Sequence, residues 1–306
     1  MAFDYHGTQM YHTFDQFATF CTTDLETFEQ EHHLPSIAFC YHIDNTVDGM
    51  AGHSFGFPYI FLYRGIIDIM NQFFINHETA FIYPEFNEFR AMRQQLSLPL
   101  GYLLFQLTSL FAYYHERSHI QQMKGEIMQW ADGGEDTRNL MEGYALDARH
   151  AEYDRLGHAM EFDADVRAAQ LCAEHVLQFQ NGSNQRIQLM ASLGVAGVLV
   201  YWLYLCHGEY ELYFKQGRHP HPLIRSFYVA DAMMRQLNIL SGAAFNSELV
   251  LNSALRIVDA IYEHQENHPI QAFFNALEEN GDEIEEFVND LIEICNDYPN
   301  LIRNQQ

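Results

Sequence analysis

The segment that most constrains the fold is a long run of helix-spaced apolar residues that ends in two histidines. The apolar residues recur three and four positions apart, as on one face of an α-helix, and they are Leu100, Leu103, Leu104, Leu107, Phe111 and Tyr114. His115 and His119 continue this face. We therefore predict a buried helix with both imidazoles on its inward side, capped at Ser97 and ending near Gly125.

Residues 115 to 119 have the pattern H-E-x-x-H. Residues four apart lie on one helix face, so His115 and His119 can present their imidazole nitrogens to one ion, with Glu116 beside them. Two histidine ligands and a carboxylate general base are the arrangement of a zinc metallopeptidase. The chain contains 17 histidines, so a chance match is not negligible and the prediction depends on what other segments supply.

A catalytic zinc site needs a third protein ligand and one open position. Glu161 and Asp165 share a helix face, so Glu161 can complete the ligand set while Asp165 accepts a hydrogen bond from the second ring nitrogen of a liganding histidine. His158, one turn earlier, is the rival ligand. We favour Glu161, although a solvated acidic helix face is an alternative interpretation of this segment.

A third pattern, H-P-x-x-x-x-R, runs from His219 to Arg225. The order H-E-x-x-H, then E-x-x-A-D at residues 161–165, then H-P-x-x-x-x-R resembles that of gluzincin metallopeptidases of the HtpX and CAAX-prenyl-protease type. In length and layout the chain is most similar to the Lit-like phage-exclusion peptidases. The resemblance covers roughly residues 36–225. It implies a zinc-dependent endopeptidase acting on a specific protein substrate, with phage defence or cell death as its setting.

The resemblance also implies roles for individual residues. Zinc is expected on His115, His119 and Glu161, with Glu116 as the catalytic base. Asp165 and Arg225 are expected to support the site, and His219 to act in catalysis by stabilising the oxyanion of the attacked carbonyl. Arg225 can pair with Asp165 or Glu161, or hold the His219 loop, and these alternatives stay open. His221 matches no position of the family pattern.

A strand predicted over Pro58–Tyr63, followed by a helix that Gly65 leads, resembles the edge strand of the same peptidases. An edge strand can pair with an extended peptide and set its register. Tyr59, Ile60 and Phe61 are therefore the predicted substrate-binding residues, and the expected partner is a protein or peptide.

The balance of charge limits the partners. Lys and Arg number 16 against 41 Asp and Glu, which gives a net charge of −25. Nucleic acid and anionic lipid require a basic surface, so we expect no nucleic-acid partner. The same charge motivates an alternative function, a non-catalytic acidic binding or decoy protein on a peptidase-like scaffold. Glu116 argues against it, since a scaffold kept only for binding needs no catalytic base.

Strand patterns are confined to the first quarter of the chain, so the predicted fold class is mainly α (α+β), with a small N-terminal β-sheet. The resemblance implies a zincin-like helical metallopeptidase domain. We expect helices over 13–31, 66–76, 156–180 and 282–298, strands over 36–43 and 58–63, a loop over 45–57 and a polar, lid-forming connection over 129–155. The expected divisions are a helical extension (1–35), the peptidase domain (36–240) and an acidic helical region packed on it (241–306).

Two uncharged stretches, Gln94–Tyr114 and Ile187–Gly208, approach the roughly 20 residues that span a bilayer. Buried core helices have the same composition, and we favour that interpretation, with residues 187–206 as the more credible membrane segment. The five cysteines are scattered and never in C-x-x-C spacing, which favours reduced thiols. No secretory signal is expected. We therefore predict a cytoplasmic protein, with membrane association as the alternative.

Overall fold

The computed structural model describes residues 1–54, 57–131, 154–178, 184–206, 211–217, 219–241, 245–263 and 269–297. Three strands form one sheet: β1 (Ala38–His42), β2 (Gly49–Ser54) and β3 (Phe57–Tyr63). The α-helices are α1 (Tyr11–His32), α2 (Arg64–Asn76), α3 (Asn87–Leu96), α4 (Leu100–Gln122), α5 (Lys124–Ala131), α6 (Arg155–Gln178), α7 (Asn184–Leu205), α8 (Pro222–Ser241), α9 (Ser247–Tyr262) and α10 (Pro269–Asp297). The prediction of a mainly helical fold with a small N-terminal sheet is confirmed. The predicted lid over 129–155 lies almost wholly outside the described residues.

The sheet has the order β1-β3-β2, with β3 parallel to β1 and antiparallel to β2. The prediction that the strand beginning at Pro58 lies at an edge is therefore wrong. Its neighbours occupy both sides of its backbone, so Tyr59, Ile60 and Phe61 cannot pair with a substrate strand, and the Ile60 side chain is fully buried.

The strand β2 lies inside the segment predicted as a loop. Its sequence, Gly-Met-Ala-Gly-His-Ser, contains no β-branched residue, so local propensity gives no signal for a strand. Pairing with β3 creates it, from Gly49 opposite Leu62 to Ser54 opposite Phe57. The outer edge of β1 is paired with residues 1–3, through Phe3 N to the Tyr41 carbonyl. Within the described residues, the outer edge of β2 has no backbone partner.

The helix α4 forms the centre of the fold because it is apolar on nearly every face. It packs against α6, α7, α2 and the sheet, and most of its residues from Leu100 to Ile120 are buried. Its first free backbone amides are satisfied by Glu78, whose carboxylate accepts from Leu100 N at 3.2 Å and Gly101 N at 2.5 Å. The prediction of Ser97 as the cap is wrong, because Ser97 ends α3 in a left-handed conformation (φ 56°).

The uncharged helix α7 crosses α4 at close range. A Cβ on Gly197 would lie 2.9 Å from Thr108 Oγ1, which donates to the Gly197 carbonyl at 3.1 Å. The helix is long and apolar enough to cross a membrane, but most of its residues are buried inside the protein. The segments Pro84–Leu96 and Leu100–Gln122 are long and apolar enough only when taken together, and the chain bends by 84° between them. The cytoplasmic location stays a prediction.

One hydrophobic core includes residues from both ends of the chain. Phe14 and Leu25 of α1 and Leu291 and Cys295 of α10 belong to the same buried cluster as the residues of α4. Helix α1 is further tied to α4 by Asp24, whose carboxylate accepts from Arg117 at 2.6 Å and from the Tyr113 hydroxyl at 2.7 Å. Helices α1 and α10 therefore pack on the same core as α4, and the division of the chain near residues 35 and 240 stays a prediction. All five cysteines are free thiols.

We predict that Gly65→Ala destabilises the protein by about 1–3 kcal/mol, the usual cost of overpacking. Gly65 lies in the first turn of α2, where an added Cβ would overlap the backbone carbonyl oxygen of Thr46. Urea unfolding of the variant measures the loss. Gly125→Ala is the matched control, since nothing lies within 4 Å of its position and a gain of up to about 1 kcal/mol is expected in a helix. Equal stability of both variants would contradict the account.

Candidate metal centre

The helix α4 places two imidazoles side by side on its buried face. His115 Nε2 and His119 Nε2 are 3.1 Å apart, and the two rings are nearly perpendicular, at 89°. The His115 side chain is 11% exposed and that of His119 16%. The one-turn spacing of the pair is a local property of the helix, which is why the sequence predicted it.

Helix α6 brings a carboxylate to this pair. Glu161 Oε2 lies 3.4 Å from His115 Nε2, and Glu161 Oε1 lies 3.5 Å from His119 Nε2. Donor atoms held tetrahedrally about 2.1 Å from a zinc ion lie about 3.4 Å apart. The three side chains therefore fit one zinc ion. Among the described residues, they form the group whose donor atoms lie close enough together to hold a metal ion.

His158, the rival third ligand, lies elsewhere. It is fully buried, its Nε2 is 3.2 Å from the Gly217 carbonyl oxygen, and its ring meets Phe287 edge-on at 5.9 Å. His158 therefore holds the loop before α8. His221, which matched no family position, has a comparable local role, because its Nδ1 accepts from Leu223 N at 3.1 Å at the start of α8.

A buried charge network surrounds His115. Its Nδ1 lies 2.8 Å from Asp165 Oδ1. Arg225 donates to Asp165 through Nε at 2.8 Å and through Nη2 at 2.9 Å, and the same Nη2 donates to Glu161 at 2.9 Å. Of the alternatives left open for Arg225, the structure thus shows pairing with both carboxylates. Tyr228, which sequence reasoning missed, donates to Asp165 Oδ2 at 2.7 Å.

The second histidine has a different partner. His119 Nδ1 lies 2.8 Å from Gln122 Oε1. Sequence reasoning assigned Asp165 to either histidine and did not consider Gln122. The signal was available, since residues three apart on a helix are neighbours and Gln122 follows His119 at that spacing.

His219 reaches the site from the loop that precedes α8. Its Nδ1 lies 3.3 Å from Glu161 Oε1, and its side chain is 61% exposed. The structure therefore brings His219 next to the candidate ligands, with most of its side chain exposed to solvent. That position is compatible with the predicted role in stabilising an oxyanion.

Glu116 is buried and faces the same centre from the side of β2. A Cβ on Gly49 would lie 2.7 Å from Glu116 Oε1, so the strand contacts the carboxylate directly where only glycine leaves room. Among the described residues, no side chain or backbone group donates a hydrogen bond to this carboxylate. Burial raises the pKa of Glu116, and the neighbouring His115 and His119 act to lower it.

Among the described residues, carboxylates outnumber arginines at this centre. Arg225 pairs with Glu161 and Asp165, and Glu116 lies beside the same histidines. Burial acts to raise the pKa of Glu161, but Arg225 and the histidine hydrogen bonds hold it well below its usual range. Against the opposing effect of burial, Asp165 and Glu161 raise the pKa of His115 to about 10. A divalent cation would supply the positive charge that this arrangement favours.

Comparison of the chain with protein-family models, with curated proteins and with solved structures finds no match. The peptidase resemblance therefore depends on the three motifs and on the geometry that brings them together.

We predict that Glu161→Ala weakens zinc binding by more than the roughly 10–100-fold loss typical of outer hydrogen-bond partners, because it removes a donor atom. Competition with a chromogenic chelator measures the affinity. Glu174→Ala is the control, an exposed acid on the same helix α6 that pairs with Gln236. Equal zinc affinity in the two variants would remove Glu161 from the ligand set.

Proposed function

We propose that this chain is a zinc-dependent endopeptidase of a zincin-like kind that hydrolyses peptide bonds of a specific protein substrate. The observation that carries the proposal is the cluster of His115, His119 and Glu161: the two histidine Nε2 atoms are 3.1 Å apart, and each lies 3.4–3.5 Å from one oxygen of the Glu161 carboxylate. Glu116 follows the ligand His115 directly in the sequence, and its own carboxylate is not one of the three donor groups. Three ligands and an adjacent base leave one side of the ion for water and substrate.

The ion, when bound, polarises the substrate carbonyl and makes a water molecule more acidic. Glu116 then accepts a proton from the attacking water and delivers it to the leaving amine. Because no group among the described residues donates a hydrogen bond to Glu116, both of its carboxylate oxygens are available for this transfer. His219, exposed beside Glu161, is positioned to donate to the oxyanion.

The free edge of β2 is the place where an extended substrate can add to the sheet. This strand contacts α4, and its first residue touches the Glu116 carboxylate. A peptide paired with the outer edge of β2 would pass close to the cluster of His115, His119 and Glu161 with its backbone in a fixed register. The substrate strand thus pairs with residues 49–54, in place of the residues 59–61 expected from the sequence.

The alternative, an acidic binding protein without catalysis, explains the net charge of −25. It does not explain Glu116. Glu116 is 7% exposed, and burial raises its pKa, so keeping this carboxylate ionised has a free-energy cost. A catalytic base accounts for that cost, and a binding scaffold does not.

We predict that Glu116→Gln retains zinc and loses cleavage by roughly 100-fold or more, because the amide cannot accept the proton. N-terminal peptide labelling of a proteome digested by the zinc-loaded wild type identifies cleaved bonds, and the variant is compared on the same proteins. Zinc content measured on the same samples separates loss of the base from loss of the metal. Undiminished cleavage by the zinc-loaded variant would show that Glu116 is not the base.

We predict that Gly49→Ala lowers kcat by roughly 10–100-fold while zinc affinity stays unchanged, because the new methyl displaces the Glu116 carboxylate from its position. Met50→Ala is the matched control, since strand alternation turns this side chain to the opposite face of the sheet. Cleavage of a peptide taken from the identified substrate measures kcat. If Gly49→Ala had the same kcat as Met50→Ala, the proposed contact between residue 49 and the Glu116 carboxylate would be contradicted.

A further inference from the structure

The His119 ring is held by a chain of polar groups that runs from α4 into α6. Its Nδ1 lies 2.8 Å from Gln122 Oε1. Gln122 Nε2 donates to the Met160 carbonyl at 2.9 Å and to Asp163 Oδ2 at 2.8 Å. Arg167 Nε donates to both oxygens of Asp163, at 3.0 and 2.9 Å. The Asp163–Arg167 pair is almost fully buried, with exposures of 3% and 6%.

These partners determine which way round the Gln122 amide lies. A carboxylate paired with an arginine and a backbone carbonyl are both acceptors, so only the NH₂ group of Gln122 can face them. The amide oxygen is then the atom that faces His119. Because that oxygen only accepts hydrogen bonds, the proton of the neutral imidazole must be on Nδ1. His119 Nε2 is left with its lone pair directed at Glu161 and at His115.

The second ring nitrogens of the two histidines therefore have different partners. His115 has a carboxylate partner, Asp165, which is already neutralised by Arg225. A second carboxylate at the position of Gln122 would add negative charge beside Asp163, at 2.8 Å from the present amide nitrogen. An amide supplies the acceptor that His119 needs without charge, and it donates to Asp163 instead of repelling it.

We propose that Gln122 is a positioning residue that fixes the proton of His119 on Nδ1 and thereby selects Nε2 as a metal donor. This role rests on the zinc site proposed above. Helix α6 then acts on the site twice, through Glu161 as a ligand and through Met160 and Asp163, which orient Gln122. A hydrogen-bond partner of this kind contributes roughly 10–100-fold to metal affinity.

The test uses the full chain and zinc alone as the probe. Gln122→Met keeps the length of the side chain and removes its acceptor and donors, and Gln121→Met makes the same change one residue earlier on α4. Chelator competition should show a zinc affinity roughly 10–100-fold weaker for Gln122→Met than for wild type, with Gln121→Met unchanged. Equal affinities of the two variants would overturn the role of Gln122 while leaving the zinc site in place.

A second measurement needs no variant. In the zinc-loaded wild type labelled with ¹⁵N-histidine, His119 should give a slowly exchanging imidazole N–H signal assigned to Nδ1, because that proton is held by Gln122. An Nδ1 without a proton in the zinc-loaded protein would overturn the inference even if Gln122→Met failed to fold. A wild type that binds no zinc at all would instead overturn the metal centre, and with it the proposed function.

Discussion

The buried guanidinium of Arg225 is the interaction on which the site depends. It joins Glu161 to Asp165, lies 4.0 Å from the centre of the Trp202 ring, and is 6% exposed. Two carboxylates this close would otherwise repel each other in a medium that solvates them poorly. With Arg225 between them both can stay ionised, so one carboxylate can face a metal and the other can orient His115. Removing one partner of such a network leaves an uncompensated buried charge, which is strongly destabilising.

The site exists because four distant segments share one core. Helix α4 supplies His115, His119 and Glu116, α6 supplies Glu161 and Asp165, α8 supplies Arg225, and β2 supplies the contact with Glu116. Helices α6 and α8 make some of the most extensive contacts in the fold, as do α4 and α6. The polar groups are thus held by apolar packing on all sides, which gives the fixed geometry that metal binding and catalysis require.

Prediction from the sequence succeeded where the signal was local. The apolar periodicity predicted α4, and the one-turn spacing placed His115 and His119 on its inner face. It failed where structure comes from pairing with another segment: β2 has no strand propensity, the helix cap comes from Glu78 instead of the nearby Ser97, and the central position of β3 moved the free sheet edge away from Tyr59, Ile60 and Phe61. Each failure involves a partner in another element, which is a neighbouring strand for the sheet and Glu78, 22 residues before Leu100, for the cap.

The sequence by itself determined the identity of the donor groups, the helix that carries two of them, and the charge of the chain. Only the tertiary structure decided that Glu161 and not His158 meets the histidines, that Arg225 serves two carboxylates at once, and that Gln122 supports His119. The physical reason is that helical periodicity is fixed by the backbone within one turn. The choice among chemically equivalent side chains is made by which helices pack together, and that depends on the whole core.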